Sequence, residues 1–285
     1  MVNTRASKPL AASAWAAFRA HRSLLAFPLL SAALVIATLT TLGTPAVIAY
    51  LADQTAVGIA FTVAALLTSQ ILATIVSGGL IAAADAALRG EPAGLGRGMA
   101  RALRRVGPLI VVALVQVGVG ALIGAIRGNS DSGAAAIGRS VAAGAASVAW
   151  SVLTLFVLPL IVLAGEGPVA AIRHSGSLIR ERWGTQVVGA ARITGGLLLR
   201  FFLPGLLALL AGGGVLVLGG SQSIAPLVIG AVCGAVGVLF IIAGAMTGAV
   251  LSSLFRVALY RYATDEQLSG PFTAEDLAGA LRTRS

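Results

Sequence analysis

Apolar residues run in long unbroken stretches along this chain, and the short segments between them carry nearly all of its charge. About 20 apolar residues suffice for a helix to cross a bilayer, and six stretches reach that length. They lie near residues 23–42, 57–84, 106–126, 141–164, 193–218 and 225–255. The second and the last exceed the need, so they are expected to tilt or to project beyond the hydrocarbon. The expected fold is therefore all-α: one polytopic transmembrane domain over residues 1–285, with six transmembrane helices.

The polar segments share a plan of their own. Three of them open with a proline, Pro9, Pro92 and Pro168, continue as a short amphipathic helix and feed an odd-numbered span. Proline suits the first helical turn, where its missing N–H is not needed. The second and third agree further, as Gly90-Glu91-Pro92 and Gly165-Glu166-Gly167-Pro168. In the second, Leu95, Met99, Leu103 and Val106 make one stripe, and Arg97, Arg101, Arg104 and Arg105 the other. In the third, Val169, Ile172, Ile179 and Trp183 oppose Arg173, Ser177 and Arg180. Helices of this kind lie in the membrane interface with the apolar side down. Interfacial helices are thus expected over 9–22, 92–105, 168–183 and 273–282, the last opened by Thr273-Ala274-Glu275-Asp276, which resembles a capping box. The pattern predicts a three-fold hairpin repeat, each unit an interfacial helix plus two spans.

Composition agrees with a membrane protein. Hydrophobic residues make up 58% of the chain and charged residues 11%, and the mean hydropathy is +0.96. Soluble domains carry about 25% charged residues, and no soluble core of this size could hide so much apolar surface. The 36 glycines are spread through the apolar runs, as in membrane helices, whose small residues let backbones approach. The single cysteine, Cys233, reads as a small buried apolar residue and excludes a disulfide framework. One lysine, Lys8, stands among the 20 basic residues. With the abundance of Ala, Gly and Val, this points to a GC-rich bacterial genome.

A net charge of +10 would suit nucleic acid, but its placement points to a membrane. One side of the expected topology collects Arg5, Lys8, Arg19 and Arg22, then Arg89, Arg97, Arg101, Arg104 and Arg105. It also collects Arg173, Arg180, Arg182, Arg192 and Arg200, and last Arg256, Arg261, Arg282 and Arg284. These are 18 of the 20 basic residues, leaving only Arg127 and Arg139 outside. Lys and Arg accumulate in cytoplasmic loops. Both termini are therefore expected in the cytoplasm of a bacterium, with the protein in its cytoplasmic (inner) membrane. The expected partners are anionic lipid headgroups, met by Arg97, Arg101, Arg104, Arg105, Arg173 and Arg180, at about 1 kcal/mol per basic residue. The first span has the basic, apolar, small-residue order of a secretory signal, but its run is long and residues 1–22 precede it, so a retained helix is expected.

The run Phe255-Arg256-Val257-Ala258-Leu259-Tyr260-Arg261-Tyr262-Ala263-Thr264, followed by Gly270-Pro271-Phe272, resembles the ending of an uncharacterised family of bacterial six-helix integral membrane proteins, known as a domain of unknown function. Phe18-Arg19 through Phe27-Pro28-Leu29-Leu30 is similar to its start. Phe156-Val157-Leu158-Pro159, leading to Glu166 and Ser175, is similar to its middle. The resemblance implies a membrane protein and supplies no activity. More loosely, three hairpins with interfacial helices are similar to mitochondrial carriers, but the acidic–basic gate motifs of those carriers are missing after Pro28, Pro159 and Pro204.

Catalytic groups are scarce. Lys8 follows no glycine-rich turn, which excludes a P-loop. His21 and His174 stand alone in basic segments, so no metal set is expected. Ser175 and Ser177 flank Gly176 beside His174, but neighbours on a helix point apart, and a packing role is expected for them. No catalytic residue, metal or cofactor is expected.

Five polar residues near the spans remain as candidates. Asp85 ends the second span with Arg89 one turn on, where a local ion pair is expected. Glu166 ends the fourth. Asp85 and Glu166 could instead line a cytoplasmic vestibule. Gln70 and Gln116 lie mid-span, where amides bond across helices or line a polar pathway. Arg200 sits inside the fifth span as drawn. That span could also begin at Phe201, leaving Arg200 to snorkel at the interface. Gly120, Gly124 and Gly128 form a small-residue ridge, as do Gly230 with Gly234 and Gly244 with Gly248, and such ridges fit either internal packing or contact with a homo-oligomer or membrane protein partner. Pro159 and Pro204 predict kinks. The expected function is non-enzymatic, a lipid-contacting or scaffolding role. A transporter or channel for a small solute or lipid is the alternative, and a lipid enzyme has the least support.

Overall fold

The computed structural model describes residues 22–128, 134–183, 202–218 and 224–264. Among these residues every regular element is helical. Helix α1 is a rod over Arg22–Leu51, opening with a 3-10 turn and carrying a π turn at Leu39–Gly43. Helix α2 runs Thr55–Leu88, α3 Leu95–Leu103 and α4 Val106–Arg127. Helix α5 runs Ala134–Leu153, and α6, Val157–Pro159, continues it as a π turn over Leu160–Ala164. Helix α7 runs Pro168–Trp183, α8 Leu203–Leu218 and α9 Ile224–Ala263.

Among the described residues five helices are long and apolar enough to cross a membrane: Arg22–Leu51, Thr55–Leu88, Val106–Arg127, Ile137–Ala164 and Val228–Ala263. Between 11% and 39% of the most apolar window of each is buried, so most of that apolar surface faces outward. Ile36, Leu51, Leu66, Leu122, Val141, Leu210 and Leu239 are all more than half exposed. No water-soluble monomer tolerates such a belt. The chain is a membrane protein.

Several boundaries depart from the apolar runs, each for a local reason. Helix α1 continues past residue 42 to Leu51. A proline inside a helix would clash with the carbonyl four residues back, and the π turn just before Pro45 makes room for it without ending the rod. The expected outer loop thus shrinks to Ala52–Gln54, where Asp53 takes a left-handed conformation (φ 58). Pro159 predicts a kink, and the interruption comes earlier, between Leu153 and Val157. Pro159 has no N–H to bond the carbonyl of Leu155, so the turn before it is where the helix gives way. The amphipathic helix expected over 92–105 is shorter, Leu95–Leu103, whereas α7 matches 168–183. Of the expected fifth span, Leu203–Leu218 is described. Segments 9–21 and 273–282, and Arg200 with them, lie outside the described residues.

The core sits at one end of the bundle, the end that carries most of the arginines. In α2 the residues from Thr74 to Leu88 are almost all buried, against only Gly58 and Ala65 in its first half. They meet Leu24 and Phe27 of α1, Leu160 and Ile161, Ala171 and Leu178 of α7, and Val250, Leu254, Val257 and Leu259 of α9. Helix α3 seats on α2 through Gly98 and Ala102, its two buried residues, while Leu103 and Val106 point outward. The contact is close: a Cβ on Gly98 would come 2.5 Å from the Gly79 carbonyl oxygen and 2.7 Å from the Phe27 ring.

Candidate functional site

The arginine-bearing end is organised by the last turn of α2. Gly90, in a left-handed conformation (φ 72), closes that helix, and the Glu91 N–H reaches back to the Ala86 carbonyl at 2.9 Å. This holds Asp85 one turn from the end, 4% exposed. Its Oδ1 accepts from Nε of Arg261 at 3.0 Å and from Nη2 of Arg261 at 2.7 Å. Its Oδ2 takes the expected local pair, Nη2 of Arg89 at 2.8 Å. Arg89 also pairs Glu91 through Nε at 3.2 Å.

Arg261 is the partner that local spacing does not supply, since it lies 176 residues away on α9. It is 6% exposed. A signal for it exists: Val250, Leu254, Val257, Ala258 and Arg261 fall on one helical stripe, so a charge interrupts an otherwise apolar face.

Arg101 turns inward from α3. Its Nη1 stands 4.0 Å from Asp85 Oδ2, while Nε and Nη2 donate to the carbonyls of Val162 and Leu163 at 3.3 and 3.4 Å. A cation is favourable at a helix C-terminus, where carbonyls lack intrahelical partners. Arg105 lies against Gly165, where a Cβ would collide with its guanidinium; Gly165 is also left-handed (φ 78). Arg97 on α3, Arg104 and Arg105 in the turn that follows it, and Arg173 and Arg180 on α7 are exposed. A cleft of about 180 Å³ opens between α2 and α3, lined by Arg89, Arg97, Arg101 and Glu91 over a floor of Ala82, Ala83, Ala86, Gly94 and Gly98.

The remaining candidates are tied into the scaffold. Gln70 and Gln116 meet across α2 and α4, Nε2 to Oε1 at 2.6 Å. Glu166 Oε1 and His174 Nδ1 are 2.6 Å apart across the turn into α7, so His174 does not stand alone. Glu166 Oε2 is buried with no hydrogen-bond partner among the described residues. Ser175 is fully buried and bridges the interrupted helix: its hydroxyl donates to the Leu153 carbonyl at 2.6 Å and accepts from the Phe156 N–H at 3.2 Å. A Cβ on Gly212 of α8 would come 2.8 Å from the Gly230 carbonyl oxygen, placing the Gly230–Gly234 ridge at an internal crossing. A Cβ on Gly120 or Gly124 would meet nothing within 4 Å. No group of three or more His, Cys, Asp or Glu side chains able to hold a metal ion occurs among the described residues.

Residues 67–270 match the model of a family of unknown function (DUF6159). The chain belongs to that family, and the matched segment includes both Asp85 and Arg261. No curated protein and no solved structure matches the chain.

Proposed function

We propose that the protein is a non-enzymatic, six-span membrane protein that gathers anionic lipid around a rim of arginines on its cytoplasmic side, in the cytoplasmic (inner) membrane of a bacterium. The observation that carries this reading is the arrangement of charge at the packed end. Asp85 and Glu91 engage Arg89 and Arg261, while Arg97, Arg104, Arg105, Arg173 and Arg180 stay exposed. Exposed guanidiniums at the end of a membrane bundle meet phosphate headgroups, and Lys and Arg gather on the cytoplasmic side.

The sixth span is the hairpin partner of α9. Helix α8 has 16 residues, a rise of about 24 Å, against a hydrocarbon core of about 30 Å. The expected fifth span, 193–218, has the length to complete the crossing. The glycine-lined contact of Gly205 with Gly237 and of Gly212 with Gly230 and Gly234 supports this pairing. With six crossings both termini face the cytoplasm. The left-handed glycines before the second and third proline turns, Gly90 and Gly165, support the hairpin repeat.

A transporter or channel would use Gln70 and Gln116 as pathway groups. Their mutual hydrogen bond and the position of the cleft at the arginine end favour packing over passage. The test is lipid selectivity in reconstituted vesicles. Spin-labelled phosphatidylglycerol should be motionally restricted at the protein in preference to phosphatidylcholine. Substituting Arg97, Arg104 and Arg105 together by Gln should remove about 3 kcal/mol of that preference, about a hundredfold. Equal association of the two lipids with the unaltered protein would contradict the reading.

A further inference from the structure

We propose that the cleft between the end of α2 and the start of α3 binds one phosphate group, that of an anionic membrane lipid. The inference rests on the lipid-gathering reading and narrows it from a diffuse rim to a discrete pocket. Three guanidiniums, those of Arg89, Arg97 and Arg101, line it with the Glu91 carboxylate, and the buried Asp85–Arg261 pair adjoins them, with Asp85 bound to Arg89 and 4.0 Å from Arg101. Asp85 binds Arg261 and Arg89 directly, and Glu91 binds Arg89. Arg97 has no carboxylate partner among the described residues, and Arg101, which donates to the carbonyls of Val162 and Leu163, stands 4.0 Å from the carboxylate of Asp85. Two positive charges are thus left unbalanced, which a phosphate group would neutralise with charge-assisted hydrogen bonds. Glu91 sits on the rim but is already held by Arg89.

The shape agrees with the charge. The cleft of about 180 Å³ exceeds by many times the roughly 10–15 Å³ that one water requires by a comparable measure. Gly94 lines it without any internal need for glycine: its φ of −134 is open to every residue, and a Cβ there would meet nothing within 4 Å. Gly94 is also the N-cap of α3, and it offers no side-chain acceptor to the first N–H groups of that helix. Those donors and the positive end of the helix face a site suited to an anion.

The experiment is calorimetric titration of the detergent-solubilised full chain with dioctanoyl phosphatidic acid. Dioctanoyl phosphatidylcholine and inorganic phosphate serve as separate arms. Saturable binding of the anionic lipid is expected, weakened about tenfold or more by Arg97→Gln, which removes one charge-assisted partner, and by Gly94→Leu, which fills the cleft without changing charge. Arg97→Lys should restore part of the loss. Unchanged affinity in both variants, or no saturable binding, overturns the proposal. Inorganic phosphate binding as tightly as the lipid would assign the cleft to a soluble anion and overturn the lipid half. Failure of the pocket alone is recognisable, because the selectivity for spin-labelled phosphatidylglycerol would then persist in Gly94→Leu. Loss of the rim reading shows instead as no selectivity in the unaltered protein.

Discussion

Arg261 Nη2 lies 2.7 Å from Asp85 Oδ1, joining the last helix to the second where both side chains are less than a tenth exposed. Burying two charges is costly in itself, and the larger effect appears when one partner is removed and the other stays buried and unpaired. Asp85→Asn, which takes the carboxylate from buried Arg261, is therefore expected to cost about 3–5 kcal/mol, and Arg261→Gln, which leaves Asp85 its pair with Arg89, somewhat less. Arg89→Gln, whose side chain is 36% exposed, is expected to cost under about 1 kcal/mol. Thermal unfolding in detergent, followed by circular dichroism, checks the order. Equal losses in all three would mean that the long-range pair does not hold the bundle.

Ser175 has a different job. The break between Leu153 and Val157 strands a carbonyl and an N–H that one hydroxyl satisfies together. Ser175→Ala should remove the one buried hydroxyl that serves both the Leu153 carbonyl and the Phe156 N–H, a loss of about 1–3 kcal/mol. Ser177→Ala, whose hydroxyl bonds the His174 carbonyl one turn back, should change stability by less than about 0.5 kcal/mol. The same unfolding measurement decides, and matching losses would remove the special role of Ser175.

The α2–α3 contact admits no side chain at Gly98. A methyl there would press on the Gly79 carbonyl, which is backbone and cannot rotate away. Gly98→Ala is expected to separate α3 from α2 and to expose the arginine end to trypsin, with cleavage appearing at Arg97 or Arg101. Gly96→Ala, whose Cβ would meet nothing within 4 Å, should keep the resistance of the unaltered protein.

Gln70 and Gln116 distinguish packing from passage. Gln116→Leu should leave the Gln70 amide without its cross-helix partner and cost about 0.6–2 kcal/mol, with Gln70→Leu added on top recovering most of it. A transport pathway would instead show as solute flux lost in the double variant at unchanged stability.

The sequence made the third span almost fully legible, because Val106–Arg127 is a single apolar run bounded by Arg105 and Gly128. The local pair of Asp85 with Arg89 was equally readable from one-turn spacing. Arg261 was not, because nothing local relates α9 to α2. The buried face of α3 was not legible either, for a membrane-specific reason. The stripe of Leu95, Met99, Leu103 and Val106 marks the face expected to lie on lipid, and Leu103 is 53% exposed, whereas Gly98 and Ala102 make the helix contact. Lipid is as apolar as leucine, so in a bilayer small residues mark the seam. The Glu166–His174 pair was hidden likewise, since eight residues separate them across a turn whose geometry Gly165 sets.

The central claim is that the arginine rim and the packed end beneath it face the cytoplasm. Single cysteines placed by Arg104→Cys and by Arg139→Cys, each in a Cys233→Ser background, test it with a membrane-impermeant maleimide on intact cells. Both positions are exposed, so access to each depends on the side of the membrane. Labelling at 139 without labelling at 104 until the membrane is opened is the predicted result. Labelling at 104 in intact cells would contradict the account.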